Sequence, residues 1–479
     1  MSDHDLPALR ARIQDIDHEI ESLEDRIAAL RVDREPIAAV LDAVVYPVLS
    51  LPTEITAHIF THYVDSPHIG RQSSFRDGTL PLTLGAVCRD WRQISLFTSS
   101  LWADFKIRAP PSSAHEREFE VFFALLQHFL RHAGTHPLRV FVEGRLICPS
   151  PSFNTSLDCI TRIQSVLSPY WPQMASLDLV VEPPSAPFKL MPRYGVPALR
   201  ALSLQSSPGL SDWRCGDVHE LQDAPMLCSV SMDGLSMASV TLPWRQLTHL
   251  EFGSESMYNC LAILCQTPLL ENLRYASLSQ RPIAGSTPRI ITLARLCSLE
   301  ALEQRVEPQE GIQRNCVLDY LIAPALTSLR LASTTTESVS AFAARSNFTL
   351  RHARLRDIDE DNMFRFLKNQ PHLEDLELDI DFWQSGCPHQ CIAQVARELG
   401  TNTTFLPNLR TLEVLKAEKH LGALARSIAA RWRGELTGVV PLRRLGLHLT
   451  EDAEKSFVAV LRPLMRIGFE LFLRAPDED

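Results

Sequence analysis

The chain has no run of 18 or more apolar residues among its 479 positions, whereas a membrane-spanning helix needs about 20. The longest candidate, Ile37 to Leu51, is broken by Asp42 and Pro47, so no membrane association is expected. The opening residues Met1-Ser2-Asp3-His4-Asp5 are acidic and precede no apolar core, so no secretory signal is expected either. The eleven cysteines include no C-x-x-C pair and are odd in number. In a chain without a signal this spells reduced thiols and a cytoplasmic or nuclear location. The sequons at Asn154, Asn347 and Asn402 are then chance matches.

Basic charge is also short. The formal net charge is −10, and binding to a phosphate backbone needs a basic footprint, so no nucleic-acid partner is expected. Arg431-Trp432-Arg433 and Arg443-Arg444 are too short to supply one. No phosphate-loop, dinucleotide, nucleophile-elbow or H-E-x-x-H motif occurs. Cys387-Pro388-His389-Gln390-Cys391 is a compact Cys/His group. It lacks the further ligands that a closed zinc site needs, and it reads as a polar loop. His58 and His62, four apart, read as a solvated helix face. No catalytic, cofactor-binding or metal-binding residue is assigned.

What is present is periodicity. Leu9, Ile13, Ile16, Ile20, Leu23, Ile27 and Leu30 alternate in steps of four and three, the 3.5-residue period of a coiled-coil seam. Ile13, Ile20 and Ile27 fall at a, with Leu9, Ile16, Leu23 and Leu30 at d. β-branched a residues with a Leu-rich d favour parallel two-stranded coils. A parallel in-register pair would set Arg12 against Asp17, which attracts, but Glu19 against Glu24 and Arg26 against Arg31, which repel. Residues 9–34 therefore call for a different helix partner, an antiparallel or shifted pairing, or a seat on the chain's own surface. Pro36 is expected to end or kink the helix.

Residues 46–102 carry a second pattern. Pro52 follows Leu51 and opens a helix, with Glu54 in its first turn. Ile55, Ile59 and Phe60 fall on one face. After the polar break 66–79, Val87-Cys88-Arg89-Asp90-Trp91-Arg92-Gln93-Ile94 reads as a second helix with Val87, Trp91 and Ile94 together, and Leu101-Trp102 closes the unit. So small a unit cannot bury all these groups alone.

Leu51-Pro52-x-Glu54-Ile55 with Ile59-Phe60, then Val87-Cys88-x-x-Trp91-Arg92-x-Ile94, then Leu101-Trp102, resembles an F-box. With the lead-in Tyr46-Pro47-Val48-Leu49 after a heptad helix, the chain is similar to F-box proteins of mushroom-forming fungi. The break 66–79 departs from the short turn usual in that family. The resemblance implies three helices docking on a Skp-type adaptor of a cullin–RING ubiquitin ligase. It implies that Leu51, Pro52, Ile55, Ile59, Phe60, Val87, Trp91, Leu101 and Trp102 form or support the adaptor surface.

From about residue 137 a phrase recurs, with apolar residues at positions one, four and six. It stands at Met174-Leu177-Leu179, Leu199-Leu202-Leu204, Leu227-Val230-Met232, Leu247-Leu250-Phe252 and Leu270-Leu273-Tyr275. It returns at Leu326-Leu329-Leu331, Leu350-Ala353-Leu355, Leu373-Leu376-Leu378, Leu409-Leu412-Val414 and Leu442-Leu445-Leu447, with a weaker copy at Leu296-Leu299-Leu302. Ten steps carry the first position from 174 to 442, a mean of 26.8 residues, within the period of leucine-rich repeats. The region resembles the degenerate leucine-rich repeats of many F-box proteins, without their Asn or Cys after the strand and with intervals of 20 to 36. Each repeat supplies a strand that cannot bury its apolar face alone, so neighbours stack. The plainer alternative is an α/β domain with short parallel strands and no regular curvature.

The fold expected is thus α/β. A coiled-coil helix spans 1–36, an F-box 37–107, a linker helix 108–136, an irregular leucine-rich-repeat solenoid with a curved parallel sheet 137–473, and an acidic tail 474–479. Residues alternating with the leucines would line the concave face. His352, Arg354 and Arg356 would lie beside Asp375, Glu377 and Asp379 as a charged ladder, continued by Arg330, Glu413, Arg444 and His448. This is either a floor for a protein substrate or a self-satisfied network. The function expected is substrate recognition in a ubiquitin ligase; a coiled-coil and repeat scaffold outside ubiquitination is the alternative.

Overall fold

The computed structural model describes residues 6–42, 51–65, 79–111, 114–143, 162–181, 195–206, 223–233, 241–253, 256–276, 289–302, 316–332, 336–356, 360–379, 389–415, 421–433, 437–448, 465 and 468–474. The inserted segment 66–78, the tail beyond Arg474 and the side chains of the Cys387–Cys391 group lie outside the description.

Helix α1 runs from Leu6 to Asp42. All described side chains from Ala11 to Ile37 are exposed. The alternative of a helix resting on the chain's own surface therefore finds no support along this stretch. Pro36 lies inside α1 and does not end it. Proline removes one backbone donor and crowds the carbonyl four residues back, which here belongs to the exposed Val32, where water can satisfy it.

Helix α2 (Thr53–Asp65) starts directly after Pro52, whose carbonyl accepts from the Thr56 N–H at 3.1 Å. Its buried residues are Thr56, Phe60 and Val64. Successive helix residues lie about 100° apart, so Phe60 turns inward while Ile55 and Ile59 turn out. These three do not share one face as expected. The expected second helix is also two: α3 (Thr79–Val87) and α4 (Arg89–Phe97). Cys88 separates them in an extended conformation, and its Sγ caps α4 by accepting from Trp91 N–H at 3.4 Å. Val87 thus ends α3 rather than sharing a face with Trp91 and Ile94. The Arg92 guanidinium ties the pair together by donating to the Gly85 carbonyl at 2.8 Å.

The rest is built on a 14-stranded parallel sheet. Its strands are β1 (Asp104–Arg108), β2 (Leu138–Glu143), β3 (Met174–Val181), β4 (Ala201–Ser206), β5 (Ser229–Asp233), β6 (His249–Gly253) and β7 (Asn272–Ala276). They continue as β9 (Ser298–Leu302), β11 (Ser328–Ala332), β12 (His352–Arg356), β13 (Asp375–Asp379), β14 (Thr411–Leu415), β15 (Arg444–His448) and β16 (Glu470–Arg474). The short β8 (Ile291–Thr292) and β10 (Leu321–Ile322) pair separately. Within the large sheet, spatial order follows chain order. Parallel neighbours require the chain to return to the same end each time; helices such as Thr336–Ser346, Glu360–Lys368, His389–Thr401 and Leu421–Trp432 make several of the returns.

Each of the eleven phrases lands on a strand, and its apolar residues are buried with the helices in one cluster running from Phe60 to Phe469. The weak copy is read differently: Leu299 and Ala301 point into the core, while Leu302 is half-buried. The sheet also begins earlier than expected. β1 falls inside the segment assigned to the F-box, and the predicted linker helix is α5 (Glu116–His132), a core element burying Phe119, Phe122, Phe123, Leu126, Phe129 and Leu130. Its 3-and-4 spacing is that of a helix packed along one stripe.

Candidate functional site

The first site is the outer face of α2 and α4. Leu51, Ile55 and Ile59 are 39%, 49% and 47% exposed, and Phe97 is 80% exposed. A cleft of about 480 Å³ between the helices is lined by Leu51, Thr53, Glu54, Ala57, Asp90, Trp91, Ile94 and Phe97. Trp91 forms its half-buried wall and meets Phe60 edge-on, with ring centroids 4.9 Å apart. Exposed aliphatic side chains beside an aromatic-walled cleft, rimmed by Glu54 and Asp90, have the make-up of a protein-docking surface.

Beneath it the remaining predicted residues act as support. Phe60, Leu101 and Trp102 are at most 1% exposed, so they hold the surface up and contribute none of it. Trp102 packs against Phe129 and His128 of α5 at 5.0 and 5.1 Å and so fixes the helical module to the sheet. Burial holds the His128 imidazole below its ordinary pKa, and His132 and Arg131 push the same way. Val87 is exposed but sits at the end of α3. Pro52 is exposed and starts α2, its carbonyl accepting the first helical hydrogen bond.

The second site is the open face of the sheet. The residue between the fourth and sixth positions of each phrase lies on the opposite face of its strand, and the register places these residues, with their equivalents in β1, β2 and β16, in one row. From β1 it reads Lys106, Phe141, Asp178, Ser203, Ser231, Glu251, Arg274, Glu300, Arg330, Arg354, Glu377, Glu413, Gly446 and Phe472. The expected ladder is present: His352, Arg354 and Arg356 stand beside Asp375, Glu377 and Asp379. Their facing nitrogen and oxygen atoms lie 2.6, 2.7 and 3.1 Å apart in that order. Glu300 lies between Arg274 and Arg330, at 3.4 and 2.8 Å. Arg444 pairs with Glu470 at 3.3 Å and lies over the Phe472 ring. His448 is in β15, with its side chain outside the description.

Several row members were not singled out in the sequence, although the same alternation marks them: Lys106, Asp178, Glu251, Arg274 and Glu300. Asp178 is the most perturbed. Burial raises its carboxyl to about 6, the charge of Glu251 adds to the rise, and a hydrogen bond from Ser203 and the charge of Lys106 oppose it. Glu377 is also raised, first by burial and then by Glu413 and Asp379, against the pull of Arg354 and Arg330. Glu413 extends over Gly446, where a Cβ would lie 2.8 Å from its Cγ. A hollow of about 330 Å³ over β9 and β11–β14 exposes Arg330, His352, Arg354, Asp375, Glu377 and Glu413 together. In the row Arg330 adjoins Arg354 and Glu377 adjoins Glu413, but Arg330 is paired with Glu300 and Arg354 with Glu377, so the face presents paired charges to any ligand.

Among the described residues, no group of three or more His, Cys, Asp or Glu is arranged to hold a metal ion. No described helix is long and apolar enough to cross a membrane. No protein-family model matches the chain, and no curated protein matches it in sequence.

Proposed function

We infer that the chain is a non-catalytic substrate-recognition subunit of an SCF-type (cullin–RING) ubiquitin ligase. In this reading α2–α4 are an F-box that docks on a Skp-type adaptor, and the parallel sheet is the inner wall of an irregular leucine-rich-repeat solenoid that holds a protein substrate. The observation carrying the reading is the uncovered stripe Leu51, Ile55 and Ile59, which runs from just before α2 onto that short helix, on a different side from its buried stripe Thr56, Phe60 and Val64. A helix with apolar groups on both sides has two things to pack against, and the described fold supplies one. The chemistry of ubiquitin transfer belongs to other subunits; this chain contributes proximity, which raises the local concentration of a substrate lysine.

The test is affinity capture of the full chain by a fungal Skp-type adaptor, comparing wild type with Ile55→Glu/Ile59→Glu. Both positions are half exposed, so the double variant is expected to fold, to within about 1 kcal/mol of wild type. Loss of saturable binding by the folded variant supports the reading. Absence of binding by folded wild type overturns it and leaves the coiled-coil scaffold, which the exposed length of α1 favours.

A further inference from the structure

We propose that α1 pairs with α1 of a second copy of this chain, antiparallel, in a two-stranded coil centred between Glu21 and Ser22. Ile13, Ile16, Ile20, Leu23, Ile27, Leu30 and Ile37 are each between 44% and 62% exposed on one continuous seam of a 37-residue helix. That is far more uncovered aliphatic surface than an isolated helix in water tolerates, and the short-range pattern is that of a coil.

Charge selects the occupant and its direction. With the seam centred as stated, the layers are Ile13 on Leu30, Ile16 on Ile27 and Ile20 on Leu23, each made twice by symmetry. Along one flank Arg12 then meets Asp33 of the second copy and Glu19 meets Arg26, both attractive. Along the other flank Asp17 falls between Glu24 and Arg31 and is balanced. Along the described helix a parallel in-register pair attracts only through Arg12 and Asp17. It sets Glu19 on Glu24, Arg26 on Arg31 and the a-position Arg34 on its own equivalent. Opposite charges at these flanking positions set partner and orientation, so the seam fits its own copy reversed.

The experiment measures the mass of the full chain in solution by light scattering over a concentration series. A dimer is expected, and Ile20→Asp/Leu23→Asp should return it to monomer while the thermal transition of the sheet is unchanged. Glu19→Arg and Arg26→Glu are each expected to raise the dissociation constant roughly fivefold, from pair strengths typical of exposed helix charges, and the two together to restore it. A monomeric wild type, or a dimer that survives the core variant, overturns the proposal. Single reversals that tighten the dimer overturn the antiparallel direction, since each turns a parallel repulsion into an attraction.

Discussion

The indole Nε1 of Trp102 donates a buried hydrogen bond to the Ser95 carbonyl at 2.7 Å, joining the last turn of α4 to the base of the sheet. Trp102→Ala removes this bond and a fully buried ring, a loss of about 3–5 kcal/mol. Trp102→Phe keeps most of the packing and loses the bond, but the Ser95 carbonyl still accepts from the Thr98 N–H at 3.2 Å, so the cost is about 0.5–1.5 kcal/mol. Denaturant titration of both variants checks the order. Equal stability of Trp102→Phe and wild type would show that the hydrogen bond is immaterial.

Trp91 is a different case. Had it been fully buried, its removal would cost as much as that of Trp102. It is instead half-buried against Phe60, so Trp91→Ala is expected to cost about 1–3 kcal/mol, between the surface and core ranges. The helices should persist by circular dichroism, and adaptor affinity should fall more than stability does. A loss of stability as large as for Trp102→Ala would move Trp91 from the docking surface to the core.

The Asp178 carboxyl, held at about 6, ties stability to pH. A raised folded-state pKa means that the folded chain holds the proton more tightly than the unfolded one. The associated stability is present in full below about pH 4, the ordinary aspartate value, and disappears as pH rises through 6. Asp178→Asn should therefore match wild type near pH 4 and exceed it at pH 7 by about 1–2 kcal/mol, allowing for partial exposure of the group. Urea midpoints at both pH values check this; a variant less stable than wild type at pH 7 would place the ionised carboxylate in a favourable contact.

Arg354 and Glu377 lie 2.7 Å apart on neighbouring strands. A double-alanine cycle should give a coupling of about 0.2–1 kcal/mol that shrinks with added salt. If the sheet face holds a substrate, either single change should weaken capture of that substrate by more than it weakens the fold.

The sheet was legible wherever a strand carried the full phrase, because burial of alternate residues on one face and helix packing behind it both select that spacing. Strands β1, β2 and β16 lie outside the eleven phrases. Trp102-Phe105-Ile107 keeps the same spacing into β1, but Trp102 reads equally as the close of the helical unit, which masks the strand. The division between α3 and α4 was hidden because Val87, Trp91 and Ile94 keep helical spacing across the break at Cys88. The ladder of His352, Arg354 and Arg356 was readable because a two-residue period fixes which side chains face outward. Arg431 was not: it sits in a short basic run, yet it is buried and donates to the Leu406 carbonyl at 2.7 Å. Burial lowers its pKa to about 10. Which residues of an amphipathic helix turn inward depends on its rotation against the strands, which local spacing does not specify.

If the sheet face holds a substrate, the row from Lys106 to Phe472 is a ruler for it. Fourteen strands at roughly 4.8 Å spacing set its length at about 60 Å. A short extended peptide would reach across only a few of its graduations. A folded domain, or some 18 residues of extended chain, is needed to be measured along the whole of it. Because each mark is carried by a separate strand, a single substitution shifts one graduation and leaves the scale on either side intact.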